Sequence, residues 1–248
     1  MTSFILFFVL STQLYGQDVN TFINQAKFLE STMNDEAAVA KYLEALQLQP
    51  GNIYAVCKVS ELSTRVGSRS DGNKRKQDNY FNTAKTYAQA AIKLAPQNSE
   101  SNFVMALVMG RDALSGSGKE KIEAVKKLKN YADLSIKYDP GNFKAWYVLG
   151  KWYYEVSALN YFERTAVKVF FGALPRAEIT DAISCFEKSK SINPGFILNY
   201  LALAKAYKKQ DEIATAKQNL SSMISLPDQT ADDAKLKNEG RDLLKKWN

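Results

Sequence analysis

The sequence predicts an all-α fold, a solenoid of stacked helical repeats with a C-terminal capping helix, and three observations carry that prediction. Five of the six prolines, Pro50, Pro96, Pro140, Pro194 and Pro227, each close a stretch in which small and aromatic residues recur at intervals of three and four. Those intervals place side chains on one helix face. Recurrence of the whole pattern points to one repeated unit. No segment shows the period of two that marks a half-buried strand.

In the first unit, Phe22, Ala26 and Leu29 mark a first helix, and Ala38, Tyr42 and Ala45 a second. The second unit has Val56 and Val59, then Ala84, Ala88 and Ala91; the third has Met105, Ala106 and Met109, then Leu128 and Ala132. The fourth places Trp146, Leu149, Gly150 and Tyr153 in the spacing W-x2-L-G-x2-Y, followed by Ala182, Phe186 and Pro194. That spacing is the tetratricopeptide signature, a repeat with a period of about 34 residues. Gly150 is expected to let two helices approach closely, with Trp146, Leu149 and Tyr153 as the buried stripe. The fifth unit has Tyr200, Leu203, Ala204 and Tyr207, then Ala216, Leu220 and Met223.

Units two to four carry extra residues between their helices, Gly67 to Lys76, Leu114 to Lys119 and Ser157 to Ala177. Insertions at one topological place are expected on one edge of a solenoid. Residues 17–228 are thus read as five repeats. Residues 229–248, with Ala231, Ala234, Leu243, Leu244 and Trp247 on one side, are read as the cap that a stacked array requires.

Composition bounds the function. The chain has 33 Lys and Arg against 26 Asp and Glu, a net charge of +7, which favours an acidic partner or an anionic membrane surface. Charge is uneven, because Asp18, Glu30, Asp35, Glu36 and Glu44 face only Lys27 and Lys41 in the first unit. The chain has no histidine, so imidazole general bases, Ser/His and Cys/His pairs and the commonest transition-metal ligand are all excluded. The expectation is a non-enzymatic protein with no cofactor and no metal. Cys57 and Cys185 fall on non-adjacent repeats and read as small core residues. At the N-terminus, the apolar run Phe4 to Leu10 followed by small and polar residues has the layout of a secretory signal, cleaved near Gly16. Export follows from that reading; the alternative is a cytoplasmic protein that keeps the run as an apolar first helix.

One stretch is more specific than the repeat. Leu149 to Val156, Phe162-Glu163-Arg164, Phe170-Phe171-Gly172-Ala173-Leu174-Pro175 and Ala182 to Phe196 together resemble the regulator of microtubule dynamics family, insert included. The resemblance implies a tetratricopeptide scaffold, whose eukaryotic relatives are linked to microtubules or organelle contact sites and in one branch to phospholipid binding. It brings no catalytic motif.

In such an array the first helices line a concave groove, and residues off their buried stripe are the candidate contacts. These are Tyr54 and Arg65, Phe103 and Arg111, Tyr147, Lys151, Tyr154 and Glu155, and Leu201, Lys205, Lys208 and Lys209. They make a basic, aromatic surface suited to an acidic or carboxylate-ended peptide or protein segment, with lysines as charge-assisted donors and tyrosines as rigid contact area. An alternative ligand is an anionic lipid or other acyl group, bound through Leu159, Phe162, Val167, Phe170 and Phe171 of the insert. The plainer expectation for the insert is a helix that folds back and enlarges the core. Gly116-Ser117-Gly118-Lys119 departs from a phosphate loop, having Ala113 for the first glycine and Glu120 for Ser/Thr, and reads as an inter-helix turn. Lys74-Arg75-Lys76 reads as a solvated basic loop, and no recognition helix supports nucleic-acid binding.

Overall fold

Proline stops each helix pair and, in most units, asparagine starts the next. The computed structural model describes residues 19–247; the apolar run and expected cleavage site of the signal lie outside the described residues. The chain divides into two compact units, Met1–Pro96 and Gln97–Asn248. The first unit holds α1 (19–31), α2 (Asp35–Leu48), α3 (Ile53–Arg69) and α4 (Lys74–Leu94). The second holds α5 (Ser99–Ser115), α6 (Gly118–Tyr138), α7 (Phe143–Ser157), α8 (Tyr161–Phe171), α9 (Ile179–Ile192), α10 (Ile197–Lys209), α11 (Ile213–Ser225) and α12 (Asp233–Lys246). There is no strand among the described residues.

The helix starts have a common chemistry. Asn52, Asn98 and Asn142 follow Pro50, Pro96 and Pro140 by two residues, and each side chain accepts a hydrogen bond from an otherwise unpaired amide of the first turn, on Ala55, Ser101 and Ala145. The proline ends the preceding helix because it lacks the N–H and crowds the turn before it. Before α10 the asparagine is replaced by Phe196, which makes no side-chain cap.

Within each unit the small residues named above are the packing surface. Ala38, Ala45, Ala88, Ala91, Ala132, Ala182 and Ala216 are fully buried, so facing helices approach without a side chain between them. Gly150 takes this furthest: a Cβ there would lie 2.6 Å from the Phe186 ring of α9, which fixes glycine at the α7–α9 crossing. Gly67 of α3 meets Phe81 of α4 in the same way, at 2.7 Å.

Four expectations are corrected. The extra residues of the second and third units make no edge loops; they lengthen the paired helices, to 17 and 21 residues in each case, leaving only short turns. Lys74-Arg75-Lys76 opens α4, where Lys74 pairs with Asp78 and Lys76 with Glu36. The stripe of α7 runs through Ala145, Val148, Leu149, Trp152 and Val156; Trp146 and Tyr153 are half-buried beside it. Trp152 instead takes the deep position, because its indole N–H reaches the Val125 carbonyl at 2.9 Å. Finally, α8 does not enlarge the core, since none of its described side chains is buried. Cys57 and Cys185 are buried free thiols.

Candidate functional site

In the second unit α5, α7, α10 and α12 lie side by side in chain order, with α6, α9 and α11 packed against them. The turn between α5 and α6 is two residues long, so α5 and α7 run in the same direction. The Ser189 hydroxyl near the end of α9 donates to the carbonyl of Phe143 at the start of α7, which sets those two antiparallel and gives α10 the direction of α7. The C-terminal halves of α5, α7 and α10 therefore share one edge. That edge carries Arg111, Lys151, Tyr154, Lys205, Lys208 and Lys209.

Tyr154 is the centre of the arrangement. The Lys151 ammonium sits 5.3 Å from its ring centroid and the Lys209 ammonium, from α10, 5.0 Å away, both within cation–π range. Burial, and then the neighbouring Glu155, push the Tyr154 phenol up from its ordinary pKa, so it stays a neutral donor. Glu155 also pairs with Lys151 at 2.8 Å, and Glu239 of α12 with Lys205 at 2.5 Å. The acid partners moderate the positive charge of this edge.

Other expected contacts are placed elsewhere. Phe103 is 3% exposed, with the Lys144 ammonium 4.5 Å above its ring, and Lys144 in turn pairs with Glu100. Tyr147 packs against Phe186 and Phe196, and its burial drives the phenol pKa strongly upward. Leu201 is core. These three belong to the packing because the faces of α5, α7 and α10 near their starts are covered by neighbouring helices.

In the first unit, Arg65 is not a groove contact. Its guanidinium holds the buried carboxylate of Asp35, with Arg69 as a second partner. Tyr54 is 42% exposed, at the edge of the Tyr42 ring, with Lys27 5.1 Å and Lys58 6.0 Å from its centroid. Lys58 is already paired with Glu30 at 2.7 Å, and Tyr42 donates to the same carboxylate.

The described insert side chains do not converge on one cavity lining; the Phe171 side chain lies outside the described ones. Leu159 packs with Trp152, Val156 and Ala177, and Val167 is half-buried, whereas Phe162 and Phe170 are exposed. Sequence reasoning missed the acid partners. Lys151 and Glu155 stand four apart on a helix and were readable as a pair; Asp35 with Arg65, and Lys205 with Glu239, are contacts between helices that no local spacing encodes.

Comparison with known proteins agrees with this architecture. The family model described as regulator of microtubule dynamics protein 1-3 matches residues 22–248. The chain is similar to regulator of microtubule dynamics protein 3 of Xenopus laevis, 28% identical over 160 residues, 64% of this chain and 35% of that protein. With protein 2 of Homo sapiens it shares 27% identity over 173 residues, 69% and 42% of the two chains. With protein 1 of Caenorhabditis elegans the identity is 28%, covering 64% and 71%. The chain thus spans less than half the length of the vertebrate relatives. Among solved structures, a tetratricopeptide-repeat protein of Thermus thermophilus superposes with a TM-score of 0.65 at 12% identity, covering 91% of this chain and 98% of that one. Pseudomonas aeruginosa pilF gives 0.56 at 13% identity, covering 94% and 90%. These likenesses establish the helical-repeat fold.

Proposed function

The chain belongs to the regulator of microtubule dynamics protein 1-3 family, and from that footing we propose that it is a non-enzymatic scaffold that binds an acidic segment of a protein partner. The binding surface is the C-terminal edge of α7 and α10. The observation that carries this reading is Tyr154 held between Lys151 and Lys209, with Lys205 and Lys208 on the same edge. A rigid aromatic flanked by ammonium groups offers contact area and charge-assisted donors together, which suits carboxylates better than either feature alone. The lack of any histidine supports a binding role over catalysis.

The test is fluorescence anisotropy with a labelled Glu-rich peptide, a Gln-rich peptide of equal length serving as control. The intact protein is expected to prefer the acidic probe and to lose affinity as salt rises. Lys208→Glu/Lys209→Glu is expected to cost about tenfold in Kd, the worth of one or two charge-assisted contacts. Equal affinity for the two peptides, or no response to the double variant, would remove this surface from consideration.

A further inference from the structure

α8 is a helix held by one edge. Asn160 and Glu163 form a capping box that fixes its start. The Arg164 guanidinium donates to the carbonyls of Leu159 and Val156, at 3.1 and 2.8 Å, tying α8 to the end of α7. The opposite side is apolar and faces solvent: Tyr161, Phe162, Val169 and Phe170 are 77, 81, 70 and 75% exposed. They stand at i, i+1, i+8 and i+9, with exposed Thr165 and Ala166 between them at i+4 and i+5, so they form one continuous stripe.

Charge gathers where α8 ends. Lys168 is exposed one turn before the C-terminus of the helix, Arg176 is exposed in the segment that follows, and Lys127 is exposed on α6. The Lys126 ammonium lies 3.4 Å from where a side chain at Gly172 would begin. Among the nearby acids, Glu163 is engaged in the capping box, Glu123 faces Lys119, and Glu178 pairs with Arg176 and offsets its charge, which leaves Lys168 and Lys127 to carry the basic character.

We propose that this stripe docks on an anionic bilayer surface, with α8 lying in the interface plane and the basic residues meeting lipid headgroups. This stripe shares no residue with the peptide-binding edge. Two arguments select a bilayer as the occupant. A helix of 11 residues is about 16 Å long, and its four exposed large side chains present less than the roughly 800 Å² per partner that a stable protein interface or dimer buries. An interfacial helix needs only shallow insertion, about 5–10 Å, supplemented by attraction of Lys and Arg to anionic lipid. Among the described residues no helix is long and apolar enough to cross a membrane.

The experiment is co-sedimentation of the full chain with phosphatidylcholine vesicles, with and without phosphatidylserine. Binding is expected with phosphatidylserine and weak without it. Phe162→Asp/Phe170→Asp is expected to reduce it by about tenfold or more, with an unchanged helical circular dichroism spectrum because both side chains are exposed. Lys127→Glu/Lys168→Glu is expected to remove the phosphatidylserine preference, and Lys208→Glu/Lys209→Glu to leave vesicle binding intact. Absence of vesicle binding, or equal binding by the Phe162/Phe170 variant, overturns the proposal. So does a dimer in sedimentation velocity that this variant dissociates, since the stripe would then be occupied by a second copy.

Discussion

At the scale of single residues, the most telling groups are phenols and a thiol that the fold keeps neutral. The Tyr207 hydroxyl is pushed up to about 12 by burial and then by its hydrogen bond to Glu187. Tyr42 and Tyr147 are driven upward mainly by burial, and the Cys185 thiol is pushed up to about 12 by burial and then by nearby Asp181 and Asp133. Each group ionises more readily in the unfolded chain, so the stability it contributes is complete below the ordinary value and is lost as pH rises toward the folded one. Urea midpoints are therefore expected to fall steadily between about pH 9 and 12, and Tyr207→Phe to fall less steeply; a parallel decline in both proteins would show that Tyr207 is not among the groups responsible. Some of this detail was legible in the sequence and some was not. The role of Gly150 follows from its place in the repeat signature. The exchange of depth between Trp146 and Trp152 does not, because it depends on a carbonyl of Val125, from another helix, waiting for one indole and not the other.

At the scale of elements, the asparagine caps differ in what they hold. Asn142 is buried; it caps α7 through Ala145 and its amide donates to the Ser99 hydroxyl and to Glu100, both at 3.0 Å. Asn73 caps α4 through Lys76 in the open. Asn142→Ala is expected to cost about 2–3 kcal/mol, the cap plus partners left unsatisfied, and Asn73→Ala about 1 kcal/mol or less. Chemical denaturation of both variants measures the difference, and equal costs would mean that the Ser99 and Glu100 contacts contribute nothing. Helix positions were readable because apolar spacing and proline are local signals. Helix lengths were not, since Gly67 reads as a loop former, whereas contact with Phe81 turns it into a packing residue inside α3. The position of α8 was equally hidden. Its apolar residues look like core in the sequence, and only the tie through Arg164 decides which side faces outward.

At the scale of the whole molecule, the candidate contacts expected to form one basic groove are divided between two units, and within each unit acids meet part of the charge. The net charge of +7 therefore does not by itself locate a binding surface. The insert follows a different logic from the other lengthened units. Residues 172–178 run from α8 to α9 without helix and are exposed at most positions, including Arg176, while α7 and α9 stay locked through Gly150 and Phe186. The covalent link between those two helices is then dispensable once the protein has folded. Brief trypsin treatment is expected to cut first after Arg176 and to yield two fragments that separate in denaturing electrophoresis but travel as one species in gel filtration; two native peaks would show that the link itself holds the pair together. A chain that can be severed there and remain whole has, in effect, a site at which new sequence can be spliced, lengthened or exchanged without disturbing the repeats on either side.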